Sequence, residues 1–244
     1  MSEKLQQYLD ETKDLDALQL VEWGLSTFGK NKIALASSLG AEDQVLTQMI
    51  LKVDSHARIF TLDTGRQFQE NYDVMTASIE KYDFNYEVCF PEVEAVQNLM
   101  NRGGPNLFYN SIEDRKACCE VRKMAPLRKK LSTVDCWATG LRSQQSVTRT
   151  DTPSVEWDDN FGIFKINPLI NWSENSVWDF IKENEIPYNK LHDKGFPSIG
   201  CQPCTRAVKE GEDVRGGRWW WETPEQKECG LHMKDGKLVR KSTD

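Results

Sequence analysis

Two pairs of cysteines in the sequence could ligate a metal centre. Cys118 and Cys119 are adjacent in KACCEVRK, and Cys201 and Cys204 form the C-x-x-C of GCQPC. A zinc site usually combines two C-x-x-C elements, but adjacent residues of a helix point about 100° apart, which would strain a single tetrahedral ion. Thiolates that bind different irons of a cubane cluster avoid this strain. The pattern therefore predicts that these four cysteines hold a [4Fe-4S] cluster.

The other three of the seven cysteines lie in different surroundings. Cys89 and Cys136 are in apolar segments typical of buried strands, where a thiol usually belongs to the core. Cys229 is in the polar stretch QKECGLHMKDG, three residues before His232. A thiol near a histidine can be a nucleophile. An incidental cysteine in a polar tail would look the same, so the residues alone leave both interpretations open.

The composition indicates an ordinary soluble protein. Of 244 residues, 39% are hydrophobic and 28% are charged, and the net charge is -7. Nucleic-acid binding needs a broad basic face, which an acidic chain lacks. The N-terminal MSEKLQQYLDETKD has neither the basic nor the apolar region of a secretory signal, and an odd number of cysteines does not suit a disulfide framework. We therefore expect a cytoplasmic protein without a membrane span or a nucleic-acid partner.

Strands and helices alternate along the chain. Apolar residues at helical spacing predict a helix over 15–28. Helices are predicted to follow strands at 32–38, 57–65 and 85–90, which indicates an α/β fold with a mainly parallel sheet and helices on both faces. Further predicted elements are a helix over 118–131, a strand over 134–142, a short outer strand over 162–170, a helix capped by Ser173, and loops from residue 187 onward.

Small-residue turns follow the first two predicted strands. SSLGAED at 37–43 precedes a helix whose N-terminal amides can hold an anion, and LDTGR at 62–66 ends the next strand. Parallel sheets bind ligands at this edge. The first loop has neither the lysine of a triphosphate loop nor the dinucleotide fingerprint, so an anion site and an ordinary turn both fit.

Taken together, seven segments resemble the assimilatory sulfonucleotide reductases, specifically the iron-sulfur branch that reduces adenosine 5'-phosphosulfate (APS). The resemblance runs from about residue 25 to 235 and is specific because the double cysteine, the C-x-x-C and ECGLH occur together. The segments are SSLGAED, LDTGR, CCEVRK, ATGLRSQQSVTR, GCQPCTR, RGGRWWW and ECGLH.

The resemblance implies a fold similar to that of the ATP pyrophosphatases, the adenine nucleotide alpha hydrolase-like fold. It implies that Cys229 is the catalytic nucleophile, which forms an S-sulfocysteine and releases AMP, and that thioredoxin or glutaredoxin then frees sulfite. Relatives also suggest a homo-oligomer. The residues that it assigns to substrate binding are Ser37, Ser38, Gly40, Thr64, Gly65, Arg66, Lys123, Arg142, Arg149, Arg215, Arg218 and His232.

The resemblance also predicts how the chain is divided. We expect one nucleotide-binding domain over 1–206, including the cluster site, and a mobile segment over 207–244 that carries Cys229 and closes over the nucleotide. Lys123 follows Cys119 by four residues on the same helical face, so its charge would lie between cluster and substrate. The tryptophans at 219–221 either dock this segment or serve burial or an oligomer contact.

Three other functions fit part of the pattern. A reductase that uses the 3'-phosphorylated substrate (PAPS) would share the fold. Members restricted to PAPS generally lack the four cysteines, which favours APS here and leaves use of both substrates open. A nucleotide-activating enzyme, such as a tRNA thiolase or a sulfurylase subunit, needs a triphosphate loop and, for tRNA, a basic surface. A binding module stabilised by zinc or a cluster would leave Cys229 without a role.

Overall fold

The computed structural model describes residues 2–145 and 152–223, which form a six-stranded sheet with surrounding helices. The strands are β1 (Ile33–Ser37), β2 (Arg58–Leu62), β3 (Glu87–Cys89), β4 (Cys136–Ala138), β5 (Val155–Asp158) and β6 (Ile163–Ile166). The α-helices are α1 (Ser2–Thr12), α2 (Ala17–Phe28), α3 (Ala41–Val53), α4 (Gln69–Tyr82), α5 (Val93–Gly103), α6 (Ile112–Cys119), α7 (Ala125–Leu131) and α8 (Glu174–Glu183). None of the described helices is long and apolar enough to cross a membrane.

The sheet is mainly parallel, as the alternation predicts. Its strand order is β3-β2-β1-β4-β6-β5, and every neighbouring pair is parallel except β5 with β6. The chain passes from β1 outward to β2 and β3 and then returns to place β4 on the other side of β1. The order therefore reverses between β1 and β4, and open α/β sheets bind ligands beyond the carboxyl ends of strands at such a point.

One strand lies in a different place from the one predicted. The segment over 162–170 does contain β6, but β6 lies between β4 and β5 with all four residues buried, so it is not an outer strand. The outer strand at this edge of the sheet is β5, which the sequence pattern did not reveal. Its central residues Glu156 and Trp157 are half-buried, so β5 lacks the apolar run by which buried strands are recognised.

Both faces of the sheet are covered. Leu35 packs into one hydrophobic cluster and its neighbour Ala34 into another, since successive side chains of a strand point to opposite faces. Strands that are buried on both faces are almost continuously apolar, which explains why β1 was recognisable. Cys136 is fully buried in β4, as predicted, and Cys89 at the end of β3 is half-buried.

The double cysteine ends the first part of one longer helical run. α6 passes into a π-helical turn at Glu120–Met124 and then into α7. The Ala125 N–H donates to the carbonyl of Glu120, five residues back. Pro126 lacks an N–H and would break a regular α-helix, but it follows this wider turn, so the run stays helical as predicted. π-turns are frequent at functional sites, and this one directly follows Cys119.

A buried carboxylate connects the loops that follow β1 and β4. Asp43 Oδ2 accepts hydrogen bonds from Ser38 N–H and Ser38 Oγ, both at 2.6 Å, and the carboxylate also accepts one from the Gly140 N–H. A Cβ at Gly140 would lie 2.4 Å from Asp43 Oδ1, so only glycine permits this approach. Burial raises the pKa of Asp43 to about 6, although the hydrogen bonds from Ser38 and Gly140 lower it.

We predict that Asp43 makes stability depend on pH. Its pKa of about 6 in the folded protein exceeds the ordinary value of 3.8, so folding favours the protonated carboxyl. The resulting stability is fully present below about pH 4 and is lost as the pH rises through about 6. Over the whole range this amounts to about 3 kcal/mol. Urea unfolding between about pH 5 and 7 should show the wild type losing stability relative to Asp43→Asn.

Asp159→Asn is the matched control, because Asp159 is an exposed carboxyl in the turn between β5 and β6. The free energy of unfolding of the Asp159→Asn variant should change with pH as that of the wild type does. If Asp43→Asn also followed the wild type at each pH, Asp43 would not titrate in this range and the prediction would be wrong.

Candidate active site

A cavity of ≈ 290 Å³ lies at the carboxyl edge of the sheet. Its walls come from the ends of β1, β2 and β4, from the helical run that contains the double cysteine, and from the segment over 198–219. The structure thus brings distant segments to the point where the strand order reverses. The predicted site residues that line this cavity are Ser37, Ser38, Thr64, Arg66, Cys118, Cys119, Lys123, Cys201, Cys204, Arg215 and Arg218.

The loop after β1 lies at the cavity edge and leads into the N-terminus of α3. Gly40 is the N-cap of α3 and has no side chain that could cap the first-turn amides. Leu39 adopts a left-handed φ of 64°, and its N–H donates to Ser37 Oγ at 3.2 Å. A helix N-terminus carries a partial positive charge and attracts anions. Ser37 and Ser38 therefore form a small, polar part of the cavity wall, and Gly40 lies beside it at the start of α3.

The LDTGR turn after β2 contacts the cysteines. Thr64 Oγ1 lies 3.2 Å from Cys201 Sγ, and the Thr64 carbonyl accepts a hydrogen bond of 2.7 Å from Arg122 Nη1. Gly65 has a φ of 70°, which favours glycine, and does not itself line the cavity. The Arg66 guanidinium lies 5.2 Å from the ring centre of Phe108. The turn after β2 is therefore fixed against both cysteine-bearing segments.

The four predicted cluster cysteines converge. One group of hydrophobic side chains contains the buried Cys204 and Trp219, and it is packed against Cys118, Cys119 and Cys201. Burial raises the pKa of Cys204 well above its ordinary value, and the charges of the other three cysteines raise it further. Within the described residues, no group of three or more His, Cys, Asp or Glu is arranged to coordinate a single metal ion. The four thiols instead surround a common part of the cavity.

Cationic side chains surround the same cavity. Within residues 2–145 and 152–223, no hydrogen bond or ion pair engages the amine of Lys123, which lines the cavity. The Arg218 guanidinium lies 4.8 Å from the ring centre of Trp219 and donates to the Ile199 carbonyl at 3.2 Å. With Arg215, these groups can bind an anionic ligand next to the amides of α3.

Arg142 lies beside the cavity and does not line it in the described part of the chain. Its side chain is 7% exposed, and Nε lies 2.8 Å from Glu42 Oε1. Glu42 is in the first turn of α3 and does line the cavity. Arg142 therefore contacts the first turn of α3 through Glu42. The predicted sites Arg149, Cys229 and His232 lie outside the described residues, so their assignments stay predictions.

Two buried arginines were not singled out from the sequence. Arg115 contacts Cys119, and Arg122 contacts Cys118, in each case with a side-chain hydrogen bond to the thiol. Each arginine is four residues from its cysteine, a spacing that brings side chains together on a helix. That spacing was the available signal. A cationic donor beside each thiol of the double cysteine favours the thiolate that metal ligation needs.

The first part of the segment predicted to be mobile packs against the cysteines. The backbone N–H of Trp219 donates to the Cys204 carbonyl at 3.0 Å, and Thr205 pairs with Arg218 in an antiparallel bridge. Trp219 is buried, whereas Trp220 is exposed. Residues 207–223 thus form part of the cavity wall. Residues 224–244 lie outside the described residues, and their mobility stays a prediction.

Comparison with known proteins identifies the family. The model described as phosphoadenosine phosphosulfate reductase domain matches residues 32–207. The chain is 50% identical over 205 residues to an adenosine 5'-phosphosulfate reductase of Allochromatium vinosum, covering 84% of this chain and 80% of the relative. It is 46% identical over 203 residues to the corresponding protein of Burkholderia cepacia, covering 83% and 81%.

Solved structures agree with this result. A crystal structure of phosphoadenylyl-sulfate reductase from Candida auris aligns with a TM-score of 0.70 at 27% identity, covering 83% of this chain and 95% of that one. Yeast FAD synthetase aligns with a TM-score of 0.56 at 15% identity, covering 78% and 66%, which supports only the predicted adenine nucleotide alpha hydrolase-like fold. Because the family model and these relatives span most of its length, the chain belongs to the phosphoadenosine phosphosulfate reductase family.

Proposed function

We propose that the protein reduces APS to sulfite and AMP in the assimilation of sulfate into cysteine, with thioredoxin or a similar dithiol protein as reductant. One observation carries this proposal. A single cavity is lined by Ser37 and Ser38 of the loop after β1, by the cations Lys123, Arg215 and Arg218, and by four cysteines. Relatives that are 43–50% identical are named adenosine 5'-phosphosulfate reductases, which supports this substrate.

The nucleotide would bind where the strand order reverses, between the loop after β1 and the LDTGR turn. Its phosphosulfate would lie toward Lys123, Arg215 and Arg218, with the predicted Arg149 and His232 as further ligands. Attack on this group brings one anion toward another, and the leaving AMP gathers negative charge. Cations that are already in place reduce the repulsion between the two anions and stabilise the charge on the leaving AMP without reorganising. The partly apolar walls of the cavity strengthen these electrostatic interactions.

The first chemical step is transfer of the sulfonyl group to Cys229. The Cys229 thiolate attacks the sulfur of the phosphosulfate, and a bond forms between the two sulfur atoms. The bond from that sulfur to the bridging oxygen breaks, and AMP leaves with the electron pair. The product is an S-sulfocysteine, and no electrons from outside the two reactants are consumed at this stage.

The second step uses a dithiol protein. One thiolate of the reductant attacks Cys229 Sγ, and sulfite leaves with the electron pair of the bond between the two sulfurs. The second thiol of the reductant then attacks the mixed disulfide and frees the Cys229 thiolate. The dithiol thus supplies both electrons and becomes a disulfide. Since both steps need reduced thiols, we place the enzyme in the cytoplasm.

We also propose that Cys118, Cys119, Cys201 and Cys204 hold a [4Fe-4S] cluster. Burial opposes deprotonation of Cys118 and Cys204, and bound iron would offset that cost. The buried Trp219 Nε1 has no hydrogen-bond partner in the described residues, and Trp219 packs against these cysteines, so its N–H would be available to donate a hydrogen bond to a bound cluster. When bound, the cluster would offset part of the negative charge of the four thiolates and would connect the two cysteine segments covalently.

The first test is the covalent intermediate. Anaerobic incubation with APS alone should add about 80 Da to the protein, on Cys229, because the sulfonyl group stays bound until a dithiol arrives. Cys229→Ser should bind AMP but form no adduct. Cys89→Ser, a half-buried cysteine outside the cavity lining, should react like the wild type. Intact mass and peptide mapping provide the readout.

The same assay with PAPS tests the alternative substrate. An adduct that forms much faster from PAPS than from APS would favour a PAPS reductase, and equal rates would indicate dual use. Failure to form any adduct from either nucleotide, with AMP binding intact, would contradict the proposed function.

The second test concerns Lys123. Removing its charge with Lys123→Met should slow adduct formation by about 10²–10³-fold, because one preorganised charge at developing negative charge has this magnitude. Lys123→Arg should retain part of the rate. Lys129→Met, on α7, is the control, because this lysine is exposed and pairs with Glu92 at the surface. Stopped-time intact mass gives the rates, and a wild-type rate in Lys123→Met would contradict the assignment.

The third test is the iron content. Protein purified without oxygen should contain about four irons per chain and absorb near about 400 nm, as a cubane cluster does. Cys201→Ser should lose this absorbance, whereas Cys136→Ser, in β4, should keep it because Cys136 lies in the sheet core away from the cavity lining. Stoichiometric zinc in place of iron would refute the cluster.

A further inference from the structure

Arg115 and Glu222 form an ion pair that is almost completely withdrawn from water. Their side chains are 1% and 4% exposed. Arg115 Nε donates to Glu222 Oε1 at 2.9 Å, and Nη2 donates to Oε2 at 2.8 Å. Such a two-point contact fixes the relative orientation of both side chains as well as their distance. No predicted site or resemblance assigned a role to either residue.

The pair connects residue 222 to both cysteine segments. Arg115 also makes a hydrogen bond with the Cys119 thiol, and its guanidinium lies 4.7 Å from the ring centre of Trp219. The Glu222 N–H donates to the Trp219 carbonyl at 2.9 Å, and the Trp219 N–H donates to the Cys204 carbonyl. Trp219 has a φ of 41°, which L residues adopt only where surrounding contacts impose it.

Stability alone does not account for this arrangement. A buried ion pair often contributes no more stability than apolar side chains of the same volume, because two charges must be removed from water. An apolar pair would leave the backbone at residue 222 free to shift, since dispersion contacts have no preferred direction. A bidentate pair instead holds one position and one orientation.

That position matters because the proposed nucleophile is close in sequence. Glu222 precedes Cys229 by seven residues, and a fully extended chain of this length spans at most about 25 Å. Arg115, the partner of Glu222, lines the cavity. The effective concentration of a tethered group depends on the length of its tether and on where the tether is fixed.

We propose that Arg115 and Glu222 are positioning residues for sulfonyl transfer. By fixing residue 222 beside the cysteines, their ion pair raises the frequency with which the Cys229 thiolate reaches the bound phosphosulfate. Neither residue touches the reacting atoms in this scheme. The inference rests on the proposed function, because it requires Cys229 to be the sulfonyl acceptor.

The test is a double-mutant cycle on the anaerobic holoprotein with Arg115→Met, Glu222→Gln and the double variant. Three quantities are measured: the first-order rate of the adduct of about 80 Da on Cys229 at saturating APS, the Kd for AMP, and iron per chain. Each single variant should lower the adduct rate about 10- to 100-fold, the range for a hydrogen bond to a charged group. The Kd should not change. The double variant should be no slower than the slower single variant, because both residues act through one bond.

Two more variants sharpen the test. Glu212→Gln is the matched control, because Glu212 makes a similar two-point pair with Arg206, at 2.7 and 2.9 Å, in the same segment and outside the cavity lining. It should react at the wild-type rate. Glu222→Asp keeps the charge and withdraws the carboxylate by one methylene, so its rate should lie between those of the wild type and Glu222→Gln.

The outcomes separate the two proposals. If the wild type forms no adduct, the proposed function fails. If the wild type reacts and the Arg115 and Glu222 variants react as fast, the function stands and the positioning role is overturned. If the variants, including Glu222→Asp, lose rate only in proportion to lost iron, the pair is merely structural and the inference is also overturned.

Discussion

The convergence of one buried and three half-buried cysteines in one pocket is the constraint on which the rest of the site depends. Burial raises the pKa of Cys118 and Cys204, whereas metal ligation requires thiolates. The fold opposes this cost with cations rather than with water. Arg115 and Arg122 each lie four residues from a cysteine of the double pair and donate to its thiol. The same need for positive charge makes the neighbouring space attractive to an anionic nucleotide.

The parallel sheet explains why thiols and anion site coincide. Its carboxyl edge places the loop after β1 and the turn after β2 side by side, and the π-turn after Cys119 lets one helical run continue past Pro126 along this edge. Thr64 then contacts Cys201, so the wall of the predicted nucleotide pocket is also a wall of the cysteine pocket.

Local patterns determined what the sequence could predict. The parallel core strands follow from short apolar runs and are confirmed, although the structure makes them shorter than predicted. The prediction that four cysteines converge followed from coordination chemistry. β5 was missed because Glu156 is polar; it pairs with Lys165 on β6, a contact that exists only after folding. The Arg115–Glu222 pair spans 107 positions of sequence, and no local signal marks a partner at that distance.

In the proposed mechanism the nucleophile must meet two partners that cannot occupy one place. The Cys229 thiolate first needs the enclosed phosphosulfate, and its S-sulfo form then needs an external dithiol protein. A cysteine on β1 or α6 could reach the phosphosulfate, but it would be too buried for the dithiol protein to attack it. A thiol on a short tether can reach both partners if the start of the tether is fixed, because every position of the thiol then stays within reach of the cavity. In this proposal the contacts of Trp219 and Glu222 fix the start of the tether, and the length of the tether gives the Cys229 thiol access to both partners.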